Sequence, residues 1–226
     1  MTDHDQRFKV LLKAFFAEFF QTFFPDWADR FDFARVDWLE QEVFPDPPRG
    51  ERLSLDLVAR VPLRPGVPPP APGSAEPADC WLTLIHVEIE ARDTVVVLQP
   101  RMHSYYEQLR RKHGLPVLPI ALFLRVGLKG IGWDVYEETY WDEWLLSFRY
   151  AYVGLPGLEA EDYVAREPVL AAALTALMRV PAARRAAVHA EALRRLAEAR
   201  ENDYRRYLLL ECLEAYARST RRRRRN

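Results

Sequence analysis

Residues 81–91 read W-L-T-L-I-H-V-E-I-E-A, an apolar run that predicts the central strand of the fold. The run ends in two carboxylates, Glu88 and Glu90, and side chains two positions apart lie on the same face of a strand. Val87 and Ile89 then point toward an apolar layer on the other face. Two acids on one face of a buried strand repel each other, and a bound cation would offset that repulsion. The alternative is an edge strand whose polar face is solvated.

A second strand is predicted just upstream, because Arg52–Val61 reads R-L-S-L-D-L-V-A-R-V and alternates in the strand sense. Asp56 lies between leucines in this segment, and a half-buried aspartate needs an arginine, backbone N–H groups or a metal as its partner. Residues 62–79 contain seven prolines and predict a long hairpin loop between the two strands. Antiparallel neighbours would bring Asp56 close enough to Glu88 and Glu90 to share an ion.

The segment Asp5–Phe24 has apolar residues at three-and-four spacing, which predicts an amphipathic helix laid across the sheet. Asp5 can cap the start of this helix, and Pro25 ends it. Four polar residues fall largely off its apolar stripe: Lys9, Lys13, Glu18 and Gln21.

A second helix is predicted over Leu98–His113, with Pro100 in its first turn and Gly114 at its end. The continuous apolar run Leu115–Val126 predicts a buried central strand that is parallel to a neighbour. Three weaker strand patterns complete the sheet, at residues 31–38, 133–140 and 148–153. The order of these elements predicts an α/β sandwich with a mixed sheet.

After Glu159 the composition changes to Ala, Leu, Arg and Glu, and three further helices are predicted, at residues 168–180, 181–200 and 202–217. We therefore expect an α/β domain over residues 1–160 and an accessory α-helical region over residues 161–226, which covers an edge of the sheet. Residues 181–226 contain thirteen arginines, no lysine and six acidic residues, which gives this segment a charge of +7. The net charge of the chain is −1, so the remaining residues carry −8. An Arg-rich tail can be a nucleic-acid-binding arm or a frayed end that reflects codon bias.

The bulk composition indicates a folded cytoplasmic protein. Hydrophobic residues make up 49% and aromatic residues 12% of the 226 residues. No apolar run approaches the roughly 20 residues that cross a bilayer, and the first residues do not resemble a signal peptide. The spacing of Cys80 and Cys212 matches no metal-binding motif. The simplest interpretation is that both are free thiols in a reducing compartment.

Five segments carry a resemblance to a known family: F-K-V-L-L-K-A-F-F-A-E-F-F (8–20), R-L-S-L-D-L-V-A-R-V (52–61), L-I-H-V-E-I-E (84–90), R-M-H-S-Y-Y (101–106) and P-I-A-L-F-L (119–124). Their order and spacing resemble the PD-(D/E)XK nuclease superfamily. More narrowly, residues 3–162 resemble the Rpn-like branch, which comprises recombination-promoting nucleases and transposase-like proteins. The resemblance implies a restriction-endonuclease-like αβββαβ core, to which the C-terminal helices are an extension.

The resemblance also implies Mg²⁺-dependent cleavage of DNA phosphodiester bonds, with Mn²⁺ as a possible substitute. Asp56 and Glu88 would be the two metal ligands of the motif. Glu90 stands where the superfamily has Lys, which is a departure. Glu90 could be a third ligand or a general base, or it could mark a site that no longer cleaves.

Other residues are candidates for a smaller part in such a site. Arg101 is positioned to bind phosphate, or to form a structural pair with Glu88 or Asp56. Three accessory candidates are Tyr105, which shares a helix face with Arg101, His86, which shares the strand face of Glu88, and Asp5, an outer carboxylate on the first helix. Glu18 is an alternative to Asp5.

Three functions are compatible with these patterns. The first is a metal-dependent DNA endonuclease associated with recombination or mobile DNA. The second is an inactive descendant of the same fold that binds DNA or protein through its Arg-rich helices. The third is a structural protein that forms homo-oligomers through the apolar stripes of its C-terminal helices. None of the three requires a membrane or an organic cofactor.

Overall fold

A computed structural model describes residues 3–39, 43–46, 51–54, 56–68, 82–90 and 97–222. Within these ranges the chain forms eight α-helices: α1 (Asp3–Ala14), α2 (Phe16–Phe23), α3 (Pro25–Ala28), α4 (Gln99–His113), α5 (Ala160–Tyr163), α6 (Leu170–Leu174), α7 (Arg185–Glu198) and α8 (Asp203–Arg222). The described ranges also contain eight strands: β1 (Asp37–Leu39), β2 (Val43–Asp46), β3 (Glu51–Ser54), β4 (Leu57–Pro62), β5 (Leu82–Glu90), β6 (Val117–Phe123), β7 (Gly130–Tyr140) and β8 (Glu143–Gly154). None of the described helices is long and apolar enough to span a bilayer.

Six strands form one mixed sheet in the order β1-β4-β5-β6-β8-β7. The strands β1, β4 and β5 are antiparallel neighbours, whereas β5, β6 and β8 run parallel to one another. The edge strand β7 pairs antiparallel with β8. This arrangement confirms the predicted α/β class and the mixed sheet, and β6 is the buried parallel strand predicted from Leu115–Val126.

The predicted strand Arg52–Val61 is two strands in the structure. The first part, β3, pairs with β2 in a separate two-stranded sheet, and only β4 joins the main sheet. Asp56 lies in the bend just before β4, and its carboxylate accepts a hydrogen bond from the backbone N–H of Ile89 at 2.8 Å. The side chain of Asp56 therefore bonds the backbone of β5 where the chain bends away from the sheet. Most of the predicted Pro-rich loop lies outside the described residues.

The two faces of the sheet are covered by different helices. Val87 and Ile89 belong to the large core beneath α1 and α2, as their alternation with the acids predicted. Helix α4 covers the opposite face with Met102, Tyr105 and Leu109. As predicted, Pro100 lies in the first turn of α4, and the left-handed Gly114 ends the helix.

The N-terminal helix predicted as one segment is broken at Phe15, which separates α1 from α2. Both halves still bury the predicted apolar stripe, because the break leaves the phenylalanine side chains facing the sheet and one another. The strand predicted at residues 31–38 is mostly a short 3₁₀ turn, and only β1 at its end joins the sheet.

The C-terminal helices pack mainly on the N-terminal ones rather than over an edge of the sheet. Helix α6 packs on α2, and α8 packs on α1 within the same core. Because Phe8 packs against Tyr216 and the start of α8 bonds the end of α1 through Arg205, the helices α1 and α8 are antiparallel. The division into two domains at residue 160 stays a prediction. Cys212 is a free thiol in this core, and burial raises its pKa to about 12.

Candidate functional site

The acidic residues meet at one edge of the main sheet, which we call the acid edge. It is the edge where β4 begins and where β5, β6 and β8 end, since Glu90 pairs with Phe123 and Phe123 pairs with Gly154. The register Leu57–Val87 places Asp56 one residue further out, beside Glu88. The structure thus brings together the two acids that the sequence predicted on neighbouring strands.

A lysine from α1 completes this acid pair. The Nζ atom of Lys9 lies 2.6 Å from Oδ1 of Asp56, and Lys9 is only 6% exposed. Lys9 was predicted to lie largely off the apolar stripe and was not among the predicted site residues. A signal was present, because Lys9 stands three and seven positions before Leu12 and Phe16, which are both buried.

Arg101 bridges the two glutamates of β5 from α4. One guanidinium nitrogen lies 3.1 Å from Oε1 of Glu88 and 3.1 Å from Oε2 of Glu90, and both glutamates are buried. Burial alone would lower the pKa of Arg101, but the charges of Glu88 and Glu90 reverse that effect and raise it. The Nε atom of Arg101 is buried and has no hydrogen-bond partner among the described residues.

The three accessory candidates are placed differently. His86 is fully buried, with Nε2 at 3.4 Å from Oε2 of Glu88 and its ring edge-on to Tyr105. Tyr105 is buried on α4 and lies close enough to Arg101 to help raise the pKa of its guanidinium group. The side chain of Asp5 lies outside the described residues. Glu18 pairs with Arg205 near the other end of the N-terminal helices, away from the acid edge.

The carboxylates of the acid edge are crowded. Among the described contacts, Lys9 pairs with Asp56, and Arg101 pairs with both Glu88 and Glu90. Burial and the nearby charge of Glu88 raise the pKa of Asp56, and the lysine and the N–H of Ile89 only partly counter them. Burial beside Glu88 therefore disfavours the charged form of Asp56.

This pKa shift predicts how stability depends on pH. Because the folded state binds the Asp56 proton more tightly, the contribution of this group to stability is fully present below its ordinary pKa of 3.8 and is lost as the pH rises through the folded-state pKa. Relative to wild type, an Asp56→Asn variant should therefore gain stability as the pH rises through this range. Urea unfolding of both proteins from about pH 3.5 to 7 measures the difference. If the stability of Asp56→Asn relative to wild type falls as the pH rises, the pKa of Asp56 is not raised in the folded state.

No known protein family, curated protein or solved structure matches this chain. The residues at the acid edge therefore carry the evidence for its function.

A metal ion is the first ligand to consider there. Among the described residues, no three His, Cys, Asp or Glu side chains are grouped so that they could hold one. Mg²⁺, however, keeps several water ligands and is often bound by one or two carboxylates together with substrate phosphate. The neighbouring carboxylates of Asp56 and Glu88 fit that donor chemistry.

Proposed function

We propose that this chain is a metal-dependent endonuclease that hydrolyses DNA phosphodiester bonds, with a restriction-endonuclease-like core. The observation that supports this proposal is the buried contact of Lys9 with Asp56, beside Glu88. The nuclease pattern needs two acids and a lysine, and the sequence has Glu90 where that lysine is expected. Lys9 supplies an ammonium group to the acid pair from α1 instead.

In this proposal Asp56 and Glu88 hold Mg²⁺ or Mn²⁺. When bound, the metal polarises the scissile phosphate and lowers the pKa of a water ligand. The ammonium group of Lys9 stabilises the negative charge that develops on the phosphate oxygens.

Arg101 has a positioning part in the same proposal. Its guanidinium group orients Glu88 through the 3.1 Å contact with Oε1. The same guanidinium nitrogen also contacts Oε2 of Glu90 at 3.1 Å. Glu90 is thus an anchor for Arg101. The unpaired buried Nε–H of Arg101 is costly to leave unsatisfied, and a phosphate oxygen or a water molecule would satisfy it.

A second candidate function is a non-catalytic descendant of the fold that binds DNA or protein. The observation in its favour is that Asp56, Glu88 and Glu90 each have a cationic protein partner in the structure. In this view Lys9 and Arg101 take the place of the metal, and the network is structural.

Purified protein incubated with supercoiled plasmid distinguishes the two functions. We expect nicking or cutting with Mg²⁺ or Mn²⁺ and none with EDTA. Calorimetry should show metal binding that weakens at least about tenfold in Asp56→Asn. The matched control is Glu107→Gln, an exposed carboxylate on α4, which should bind metal as the wild type does. Intact plasmid with every metal, together with salt-sensitive DNA retention, would refute the nuclease and favour the binding module.

A further inference from the structure

The β7–β8 hairpin extends well beyond the rest of the sheet. Strand β6 pairs with β8 only from Ala151 to Gly154, whereas β7 and β8 remain paired out to Tyr140 and Glu143. The eight residues of β8 before Ala151 therefore form a two-stranded ribbon about 26 Å long. Helix α4 covers the inner part of this ribbon through His103, which packs on Phe148. The outer part projects from the molecule.

The tip of this ribbon is apolar and exposed. Trp141 is 87% exposed, and Tyr140, Trp144 and Leu145 are 60–66% exposed. Trp144 and Leu145 are consecutive in a strand, so they point to opposite faces, and the tip is apolar on both. Together these four side chains expose on the order of 500 Å² of largely apolar surface, divided between the two faces of the ribbon.

The backbone at the tip is strained. Trp141 has a φ of 54°, a left-handed conformation that glycine or asparagine adopts readily and that a bulky residue rarely adopts. A bulky residue held in this conformation destabilises the turn. Within its own chain the Trp141 ring makes a tilted contact with exposed Tyr140, so folding gains little that would offset the strain. A function outside the folded chain explains the tryptophan better than packing does.

The tip is also acidic, which defines the chemistry of its partner. Four exposed carboxylates surround the aromatic residues: Glu137, Glu138, Asp142 and Glu143. The chain has no lysine or arginine from Gly130 to Phe148. Such a surface repels nucleic acid and attracts a cationic segment. Arginine suits it best, because a guanidinium group can stack on tryptophan and pair with a carboxylate at the same time.

The chain itself contains such a segment. Residues 218–226 read R-S-T-R-R-R-R-R-N, with six arginines and no acidic residue. Tyr216 of α8 packs on Phe8 of α1, and α8 continues from there to Arg222. The charge of this segment is opposite to that of the tip, so the two are complementary.

The tip lies far from the acid edge of its own molecule. Strand β8 runs 12 residues from the tip at Glu143 back to Gly154 at the acid edge, a distance of about 36 Å. The side chains of the tip are exposed and accessible to a second molecule.

We infer that the hairpin tip, Tyr140–Leu145, binds the Arg-rich C-terminal segment, residues 218–226, of a second copy of this chain. Two copies that lie side by side in opposite directions make this contact twice. The contacts then close into a two-fold symmetric dimer rather than a fibre. This inference is independent of the proposed nuclease function.

Light scattering of the full chain tests the dimer. We expect the wild type to show twice the 26.4 kDa mass of one chain and to dissociate as salt is raised toward about 1 M. The double substitution Trp141→Ser and Trp144→Ser, and separately the removal of residues 218–226, should each give monomers. The matched control is Tyr204→Ser with Tyr207→Ser, which removes two equally exposed aromatic residues of α8 and should leave the dimer intact.

A charge exchange identifies the two surfaces as partners. One variant carries Lys at Glu137, Glu138, Asp142 and Glu143, and the other carries Glu at Arg221–Arg225. Each variant alone should be monomeric, since like charges meet in both contacts. An equimolar mixture should form a dimer, because in the mixed pair both contacts again join opposite charges.

Several results would overturn the inference. A monomeric wild type at about 100 μM would show that the tip does not bind this chain. A dimer that survives removal of residues 218–226, or a mixture of the charge variants that stays monomeric, would show that the Arg-rich segment is not the partner. Loss of the dimer in the Tyr204→Ser, Tyr207→Ser control would place the contact on α8 instead.

Discussion

Replacing Arg101 with Met is expected to lower the free energy of unfolding at pH 7 by about 3–5 kcal/mol. Methionine keeps most of the apolar stem, so the change removes mainly the cation between Glu88 and Glu90. Both glutamates are buried, and Arg101 is the arginine that contacts both. The loss leaves two like charges close together in a poorly solvated place. Urea unfolding of the variant and the wild type measures the difference.

Two further variants separate this effect from packing. Arg111→Met, an exposed arginine on the same helix, should change the unfolding free energy by no more than about 0.5 kcal/mol. Adding Glu90→Gln to Arg101→Met should restore more than about 1 kcal/mol, because it removes one of the uncompensated charges. If Arg101→Met costs no more than Arg111→Met, the bridge does not stabilise the fold.

The sequence predicted those parts of the fold that rest on strong local patterns. Strand β5 alternates clearly, so the opposite faces of Val87 and Glu88 could be predicted from the chain alone. The bend at Asp56 could not, because the alternation of residues 52–61 continues through it without a break. What ends the strand there is a tertiary contact, the hydrogen bond from Ile89. Local periodicity carries no information about such a bond.

The candidate site was predicted in the same uneven way. The strand register and helix α4 bring Asp56, Glu88 and Arg101 together. Both could be anticipated from the sequence, so this grouping could be predicted. Lys9 was missed, since a lysine next to an apolar stripe is usually solvated and its partner is 47 positions away in the chain. Tyr105 was predicted to share the helix face of Arg101, and in the structure it lies near Arg101 while its ring packs on His86.

The β7–β8 hairpin is longer than the sequence predicted. The two strands expected at residues 133–140 and 148–153 are each longer, and together they form one continuous ribbon. Residues 143–147 did not read as a strand because a ribbon without a buried face has no apolar alternation to recognise.

Replacing Lys9 with Met is expected to lower metal-dependent DNA cleavage by about 10²–10³-fold if the chain is the proposed nuclease. The reason is that Lys9 is the ammonium group nearest to the carboxylate proposed to bind metal, at 2.6 Å from Asp56. Metal affinity should not fall, and should rise slightly, because the substitution removes a cation that competes for Asp56. Cleavage rates at saturating Mn²⁺ and calorimetric metal binding, compared on the same folded samples, measure the two effects.

The split between cleavage and metal affinity separates catalysis from structure. Lys13→Met is the matched control, since Lys13 lies one turn further along α1 and is exposed, and it should cleave at the wild-type rate. Lys9→Arg keeps a cation on Asp56 and should keep the stability while losing part of the cleavage, because its planar guanidinium places its charge differently. Wild-type cleavage by a folded Lys9→Met variant would reduce Lys9 to a structural counter-ion. A parallel loss of metal binding and cleavage would mean that Lys9 shapes the acid pair and does not act on the phosphate.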